Sequence, residues 1–369
     1  MQKILISFPY DWAKYSPSFL GLCEYLFANK FQLYVVTPCD DKAIFEFQNK
    51  FGDSFRFHLV KKNKFVSFFI KLIDYAGRRL PLLHLLADHV KYLKRVYLKD
   101  IERLSKSQDF CQIILFDFYG LGSIHNLGQR KNITIYSLEL ETYLQKIGRN
   151  FKGCITTLIS QSNLRAEFFQ LSCKKFIVPN SYLFDESPLK KNTNKREGII
   201  YSGTINKAFG YDWLQELTNS QEFSNTRLVF HGQSIVETFL IKNAKHEELN
   251  CYLEDLQLQA LMQSCAVGLI LYDDRYIESS QKFNFETAPS GKLFRYLGSG
   301  LPVIVNASKS MNIVTEFQAG IALKEINPKS IYTAYCSIIN NYEYYQEGCR
   351  RLLEHNSFKA NILPYIQQL

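Results

Sequence analysis

The sequence predicts an α/β fold built from two Rossmann-like, doubly wound domains. The chain has 369 residues, which corresponds to about two domains of ordinary size. In both halves, short β-rich segments alternate with segments of helical apolar spacing, the pattern of a parallel sheet covered by helices on both faces. A polar, charged stretch at 185–197 has almost no apolar residue and separates the halves. We therefore place a first domain at 1–186, a linker at 187–197, a second domain at 198–354 and a tail helix at 355–369.

The first half contains the strand-like segments of one sheet. Each is short, rich in β-branched or aromatic residues, and bounded by polar or turn residues. These segments are 3–8, 31–38, 55–60, 112–118, 132–140, 157–160 and 175–179. Helical segments lie between them, such as the one after Pro17, where Phe19, Leu22 and Leu26 follow a helical period. Strand–helix alternation of this kind predicts a parallel sheet.

The second half repeats the alternation. Its strand-like segments are 198–202, 226–231, 266–273, 301–306 and 320–324. Residues 326–354 have the composition and spacing of C-terminal helices, and the tail has the apolar spacing of a packing helix that Pro364 interrupts. A second doubly wound domain of similar size follows from this pattern.

The composition is that of a folded globular protein with an unusual charge. Hydrophobic residues make up 46% of the chain and charged residues 21%, which excludes disordered and fibrous classes. The net charge is +9 and the aromatic content is 15%. A positive, aromatic-rich chain favours an anionic partner, and nucleic acid, an anionic membrane surface and phosphorylated small molecules all fit that description.

Most of the positive charge lies in one stretch of the predicted first domain. Residues 61–99 contain ten Lys and Arg against two acidic residues, with apolar and aromatic residues between the charges. This pattern is typical of a membrane-surface segment, and Lys91, Lys94 and Arg95 are the candidate docking residues. A solvated pair of helices is the structural alternative. We expect no nucleic-acid partner, because no helix-turn-helix, RNP-type or zinc-finger pattern accompanies the charge.

Other patterns bear on compartment and metal binding. Nine cysteines are scattered singly with no C-x-x-C, which disfavours zinc ribbons and disulfide scaffolds. The seven histidines form no pair with ligand-like spacing and no D-x-D motif occurs, so we expect no metal. We expect no cofactor either. The N-terminal apolar run is too short for a signal peptide, and no stretch approaches 18 apolar residues. The sequence predicts a cytoplasmic protein, peripheral on the inner face of the membrane.

Two strand-to-helix turns of the second half are candidate anion sites, since ligands of open α/β sheets bind beyond the carboxyl ends of strands. The first of these segments, at 201–207, offers small residues whose backbone N–H groups can hold an anion. In the second, at 288–304, Ser290 is a predicted N-cap and Lys292 falls at the start of a helix, where a cation opposes the helix dipole. An anionic ligand between the dipole and the ammonium resolves this conflict. The candidate residues are Ser202, Gly203, Thr204, Lys207, Ser290, Gly291 and Lys292.

The second turn resembles a known donor-binding segment. Pro289, Lys292, Tyr296-Leu297 and the following Gly-Leu-Pro-Val-Ile at 300–304 are similar to the donor helix of GT-B glycosyltransferases, within the family 4-like and glucosyl- or galactofuranosyl-transferase branches. The resemblance implies two domains facing a central cleft, with a nucleotide-diphosphate sugar bound to the second by the Lys and the helix N-terminus. Arg295 stands where many family members have a ribose-binding Glu, and Glu286 does not match the family's Glu-x7-Glu pair.

Further candidates are single polar residues at strand ends. His231 ends a strand and, with Glu286, is a candidate donor contact; a strand-end His with a backbone partner is the alternative. As a catalytic base the first domain offers Asp11, Asp117 and Glu139. Glu139 is preferred because it alternates with apolar neighbours at the end of a buried strand, where an idle carboxylate is costly. Helix capping is the alternative for Asp11 and Asp117, and a retaining enzyme would need no base.

The resemblance implies a glycosyltransferase, and the absence of a metal-binding motif implies that it is metal-independent. It would move a sugar from a nucleotide-diphosphate sugar, most simply a UDP-sugar, to a glycan or lipid-linked acceptor in bacterial surface polysaccharide or glycoconjugate assembly. Two alternatives stay open. One is a non-catalytic scaffold or binding subunit on a degenerate GT-B fold, and the other is a sugar-nucleotide epimerase.

Overall fold

The computed structural model describes residues 1–10, 13, 16–38, 41–60, 72, 99–117, 132–139, 154–181, 196–232, 246–249, 253, 255–277 and 279–369. Several sequence predictions concern residues outside these ranges. They are the candidate base Asp11, the docking residues Lys91, Lys94 and Arg95 with nearly all of the basic stretch 61–99, and the linker up to residue 195.

The chain divides into two compact units. The first comprises Met1–Tyr182 and Phe358–Leu369, and the second comprises Leu183–Ser357. We call them the first and second domain. The C-terminal segment therefore belongs to the first domain, where the Tyr365 ring lies 5.6 Å from Phe176 and the Tyr365 hydroxyl donates to Thr134 Oγ1 at 3.1 Å.

The described part of the first domain is a parallel sheet flanked by helices. Its elements are β1 (Lys3–Ser7), α1 (Pro17–Ala28), β2 (Gln32–Thr37), α2 (Asp41–Phe51), β3 (Phe55–Leu59), α3 (Lys99–Ser107), β4 (Gln112–Phe116), β5 (Ile133–Ser137), β6 (Thr157–Ser160), α4 (Asn163–Phe168) and β7 (Lys174–Ile177). The sheet order is β3-β2-β1-β4-β5-β6-β7, and Ile4 pairs with Leu33 on one side and with Gln112 on the other. The strand order therefore reverses between β1 and β4, which is where open α/β sheets bind ligands.

The second domain repeats this architecture. Its elements are β8 (Ile199–Ser202), α5 (Tyr211–Asn219), β9 (Leu228–His231), β10 (His246–Leu249), α6 (Asp255–Ser264), β11 (Val267–Ile270), α7 (Ser279–Thr287), α8 (Gly291–Gly298), β12 (Val303–Asn306), α9 (Asn312–Glu316), β13 (Gly320–Leu323), α10 (Pro328–Asn340) and α11 (Tyr342–His355); α12 (Phe358–Ile366) returns to the first domain. The parallel order is β10-β9-β8-β11-β12-β13, so the reversal lies between β8 and β11.

Continuous apolar runs explain why these strands are central. Residues 4–7, 113–116 and 199–202 are buried on both faces of their strands, as parallel sheets with helices on both sides require.

Helix starts follow local capping rules. The Ser16 hydroxyl accepts from Phe19 N with Pro17 at the first helical position, and Asn327 forms a capping box with Ser330 at the start of α10. The predicted doubly wound α/β class is confirmed.

Two local predictions are wrong, and one strand has no counterpart among the predictions. The strand predicted at 132–140 ends at Ser137, because the next residues turn to bond Asp117. Strand β10 was not predicted, since its sequence His-Glu-Glu-Leu lacks an apolar pattern. Pro364 does not interrupt the tail helix, which runs from Phe358 to Ile366. Burial of Phe358, Ile362 and Ile366 outweighs the backbone bond that proline cannot make.

In the part of the chain that the structure describes, no helix combines the length and apolar character needed to cross a bilayer.

Candidate active site

The candidate donor site lies in the second domain, at the carboxyl ends of β8 and β9. Ser202 ends β8, His231 ends β9, and the two strands pair in parallel so that these residues face each other. The N-terminus of α8 approaches the same edge, since Lys292 contacts the turn after β8. The site therefore combines two strand ends and one helix start beside the point where the strand order reverses.

Lys292 is the cation of this site. The Ser290 hydroxyl accepts from Lys292 N at 3.3 Å, so Ser290 is the N-cap and Lys292 lies in the first turn, as predicted. Its ammonium donates to the Tyr201 hydroxyl at 2.8 Å and lies 4.3 Å from the Tyr201 ring centroid and 5.1 Å from that of Phe209. Burial among these rings lowers the pKa of Lys292 to about 7. The ammonium is therefore partly desolvated.

Two glycines allow this close approach. Gly203 has φ +135°, and a Cβ there would lie 2.5 Å from Lys292 Cε. Gly232 has φ +131°, and a Cβ there would lie 2.2 Å from the Gly203 carbonyl oxygen. Gly203 N donates to the His231 carbonyl at 2.9 Å, which ties the two turns together. Backbone this bare leaves room for a phosphate group at the strand ends.

The imidazole of His231 is buried, and the hydrogen bonding of its two nitrogens differs. The side chain is 4% exposed, its Nδ1 lies 2.9 Å from Ser202 Oγ, and its Nε2 has no hydrogen-bond partner among the described residues. Burial lowers the pKa of His231, and the nearby positive charge of Arg295 lowers it further. The imidazole is therefore neutral at pH 7, and Nε2 is available to a ligand. The alternative stated above was a strand-end His231 with a backbone partner. In the described structure the His231 carbonyl accepts from Gly203 N, whereas the His231 side chain contacts the Ser202 hydroxyl.

The remaining predicted donor residues divide into two groups. The Thr204 carbonyl accepts from the Tyr201 hydroxyl at 2.8 Å, and Gly291 is the first residue of α8, so both belong to the Lys292 surroundings. Lys207 is exposed, and its ammonium lies 5.3 Å from the Tyr276 ring instead. Glu286 lies in α7 and is partly exposed. Within the described ranges, the structure gathers Ser202, Gly203, Thr204, His231, Ser290, Gly291 and Lys292, and it shows no contact of Lys207 or Glu286 with them.

Aromatic rings border the Lys292 site. Tyr272 and Phe285 have ring centroids 4.4 Å apart, and Phe209 lies 5.9 Å from the first and 6.0 Å from the second. Tyr296, on α8, accepts from Ser202 N at 2.7 Å and donates to the Leu269 carbonyl at 3.3 Å. Tyr296 therefore joins α8 to β8 and β11. The sequence does not mark Phe209, Tyr272 and Phe285 as site residues, and it marks Tyr296 only through the motif at 289–304, because their contacts come from segments far apart in the sequence.

The first domain carries a second polar cluster, at the carboxyl ends of β4 and β5. Asp117 follows β4 with φ +53°, a left-handed conformation that is strained for a residue with a side chain. Its carboxylate is fully buried and accepts from Leu138 N at 2.6 Å, from Glu139 N at 3.0 Å and from the Tyr10 hydroxyl at 2.6 Å. Burial raises the pKa of Asp117 to about 8. Asp117 thus bonds the turn that carries Glu139.

Arg165 completes this cluster and was also missed by the sequence. It lies in α4, is 1% exposed, and its guanidinium donates to the Leu138 carbonyl. Burial lowers the pKa of Arg165, and the negative charge of Glu139 opposes this shift. Glu139 itself is partly exposed and lies two residues beyond β5. The preferred base candidate is therefore a turn residue whose backbone is bonded by two buried side chains. It does not continue the strand.

Across the described ranges, no group of three or more His, Cys, Asp and Glu side chains is arranged to hold a metal ion.

Comparison with known proteins identifies the fold. No family model matches the chain, and no curated protein matches it in sequence. Solved structures do match. The UDP-forming α,α-trehalose-phosphate synthase of Burkholderia vietnamiensis has a TM-score of 0.64 at 10% identity, over 100% of both chains. Phytolacca americana UGT2, complexed with UDP-2-fluoro-glucose and pterostilbene, has 0.60 at 10% identity, over 100% of this chain and 99% of its own.

A third solved structure, a candidate UDP-N-acetylglucosamine 2-epimerase from Listeria monocytogenes, has a TM-score of 0.61 at 11% identity, over 100% of this chain and 97% of its own. At such identities the likeness concerns the fold alone. The chain has the two-domain GT-B fold, in which each domain is a Rossmann-like, doubly wound α/β unit.

Proposed function

We propose that the chain is a glycosyltransferase that uses a nucleotide-diphosphate sugar. The observation that carries the proposal is Lys292, whose ammonium is held at a helix N-terminus beside two glycine turns. A cation in the first turn of a helix opposes the helix dipole, and an anion between the two removes this conflict. A diphosphate fits this position, because backbone N–H groups, the dipole and the ammonium all favour negative charge there.

The same groups suit the chemistry of glycosyl transfer. As the bond from the sugar to the diphosphate breaks, negative charge develops on the leaving nucleotide diphosphate. A preorganised ammonium and helix N-terminus stabilise this charge without a metal ion. We infer UDP as the nucleotide, since solved structures of the same fold include one complexed with UDP-2-fluoro-glucose and one named as UDP-forming. The motif at 289–304 favours the family 4-like and glucosyl- or galactofuranosyl-transferase branches.

The acceptor belongs to the first domain in this proposal. Glu139 accepts the proton of an acceptor hydroxyl. The oxygen of that hydroxyl forms the new bond to the sugar carbon, and the nucleotide diphosphate leaves with the electron pair of the broken bond. The fully buried Asp117 has no access to an acceptor and acts through Glu139. The acceptor is a glycan or a lipid-linked saccharide of bacterial surface polysaccharide or glycoconjugate assembly.

We also propose that the basic stretch 61–99 docks on an anionic membrane. Co-sedimentation with anionic vesicles at low salt tests this, with Lys91, Lys94 and Arg95 all changed to Glu. The matched control changes Lys309, Lys324 and Lys329 to Glu, three exposed lysines of the second domain that give the same change in net charge. Docking predicts loss of binding in the first triple variant and retention in the second. Equal loss in both variants contradicts a specific docking surface.

An epimerase is the second candidate. The observation in its favour is the buried Nε2 of His231, which has no partner in the described part of the chain and could contact the donor sugar. A solved structure of the same fold is a candidate UDP-N-acetylglucosamine 2-epimerase. An epimerase converts a nucleotide sugar without an acceptor and keeps the nucleotide attached, whereas a transferase releases the nucleoside diphosphate.

Thermal-shift measurements with UDP-, GDP- and CMP-sugars test the proposal. A donor present at about 100 times its Kd adds about 2.7 kcal/mol of stability. We expect a shift with a UDP-sugar that Lys292→Ala abolishes. Lys329→Ala is the matched control, because Lys329 occupies the same position in the first turn of α10. Proton NMR of the bound sugar nucleotide then separates release of UDP from epimerisation, and a chain stabilised by no nucleotide sugar is a scaffold.

A further inference from the structure

The turn after β5 is held by two buried polar side chains that come from different elements. Asp117 follows β4 and Arg165 lies in α4, after β6. Both are at most 1% exposed. Between them lies the peptide unit that joins Leu138 to Glu139.

The two side chains bond opposite ends of that peptide unit. Its N–H, which belongs to Glu139, donates to both carboxylate oxygens of Asp117 at 3.0 Å. Its carbonyl, which belongs to Leu138, accepts from the Arg165 guanidinium. The preceding N–H, that of Leu138, also donates to Asp117 at 2.6 Å. The backbone of Glu139 therefore has little freedom to move.

This arrangement is costly for a turn that only connects two elements. Burying a guanidinium carries a large desolvation penalty, and burying the polar carboxyl group of Asp117 adds to it. Asp117 adds the strain of φ +53°. Neutral turn residues would close the same loop at lower cost, so the cost indicates that the position of Glu139 matters.

We propose that Asp117 and Arg165 are positioning residues for Glu139, and that the charge of Arg165 keeps the Glu139 carboxylate ionised for its reaction. The inference rests on the proposed function, in which Glu139 takes the proton of the acceptor hydroxyl. Asp117 and Tyr10 are the other titratable groups that the described structure brings to this turn. Asp117 fixes the backbone, and Arg165 contributes both a backbone bond and a positive charge.

Four variants separate the effect of the Arg165 charge from the effect of the bonds that hold the Glu139 backbone. Arg165→Met removes the charge and the carbonyl bond, whereas Arg165→Lys keeps a cation. Asp117→Ala removes the acceptor of two N–H groups, whereas Asp117→Asn keeps an acceptor oxygen. We expect Asp117→Ala to lower kcat by about 100-fold with the donor KM unchanged, as misplacement by about 1 Å does. Asp117→Asn is expected to retain most of the activity. Circular dichroism confirms that each variant folds.

The pH profile provides a readout that a purely structural role would not move. A nearby cation lowers the pKa of a carboxyl group. Arg165→Met is therefore expected to move the acidic limb of kcat/KM upward by about one pH unit or more, and Arg165→Lys to move it less. In a Glu139→Gln background, the losses caused by Asp117→Ala and Arg165→Met are expected to disappear. An unmoved limb, or equal losses in both backgrounds, overturns the inference.

A second measurement does not depend on turnover. Carbon NMR of 13C-carboxyl-labelled glutamate follows the titration of Glu139, assigned by comparison with Glu139→Gln. A higher midpoint in Arg165→Met than in the wild type supports the inference, and equal midpoints overturn it. Failure of the proposed function is recognised separately, because a chain that binds no nucleotide sugar shows no thermal shift whatever Glu139 does.

Discussion

The Lys292 ammonium donates to the Tyr201 hydroxyl at 2.8 Å, and that hydroxyl donates to the Thr204 carbonyl at 2.8 Å. Tyr201 is almost fully buried, so its ring and hydroxyl are fixed. The bond therefore holds the ammonium above the turn after β8 before any ligand binds. Preorganisation of this kind lowers the cost of ordering a long lysine side chain when an anion arrives.

Removal of the Tyr201 hydroxyl tests this preorganisation. Tyr201→Phe keeps the ring but takes away the acceptor for Lys292, and one hydrogen bond to a charged group is worth about 1.5–3 kcal/mol. We expect the affinity for a UDP-sugar, measured by calorimetry, to fall by about tenfold or more. Tyr344→Phe is the control, because Tyr344 is exposed. An affinity that Tyr201→Phe leaves unchanged would show that the bond has no part in binding.

The pKa of Lys292 makes donor binding depend on pH. Without a ligand the pKa is about 7, and a bound diphosphate raises it because an anion favours the charged ammonium. Binding therefore takes up a proton above pH 7. The affinity for a UDP-sugar, whose diphosphate does not titrate in this range, is expected to fall as the pH rises from 7 to 9, by at most about tenfold per pH unit.

Lys292→Arg is the control for this pH dependence. Arginine stays charged over the whole range, so the affinity of the variant is expected to be flat between pH 7 and 9. The folded wild type is also expected to gain stability between about pH 7 and 10.5, because there the unfolded chain binds the proton that the folded chain has released. A wild-type affinity independent of pH would contradict a lowered pKa.

Gly203 offers a steric test of the same site. Its φ of +135° disfavours any side chain, and a Cβ would lie 2.5 Å from Lys292 Cε. Gly203→Ala must displace the ammonium, so we expect the affinity for a UDP-sugar to fall by at least about tenfold, or about 1.4 kcal/mol. Gly52→Ala is the matched control, since Gly52 also has a positive φ but nothing lies within 4 Å of its Cβ position. Comparable loss in both variants would point to general backbone strain.

The sheets and the Lys292 helix could be predicted because their signals are local. Short apolar runs mark the central strands, and Ser290 with Lys292 two residues later marks the start of α8. The partner of Lys292 could not be predicted, since Tyr201 lies 91 residues away and reads as an ordinary strand residue. Only the parallel pairing in the sheet order β9-β8-β11 brings it to the site.

The first-domain cluster is hidden from the sequence for a different reason. In α4 the apolar Leu164 is 41% exposed while the charged Arg165 is 1% exposed, the reverse of what periodicity predicts. Glu139 was selected as the end of a buried strand, but it lies in a turn that Asp117 and Arg165 hold. Contacts between side chains and a distant backbone leave no periodic pattern.

The raised pKa of Asp117 gives the last prediction, a stability that falls with pH. In the folded chain the pKa is about 8, against an ordinary value of 3.8. Between these pH values the unfolded chain loses the proton that the folded chain keeps, so each rise in pH favours unfolding.

Asp117→Asn cannot ionise, and its oxygen still accepts from the backbone. The stability of the wild type minus that of this variant is therefore expected to fall between about pH 4 and 8, by at most about 1.4 kcal/mol per pH unit. Urea unfolding at pH 5, 6, 7 and 8 measures the difference, with the exposed Asp53→Asn as control. A difference that stays constant would mean that the three hydrogen bonds to the carboxyl group offset its burial and keep it ionised.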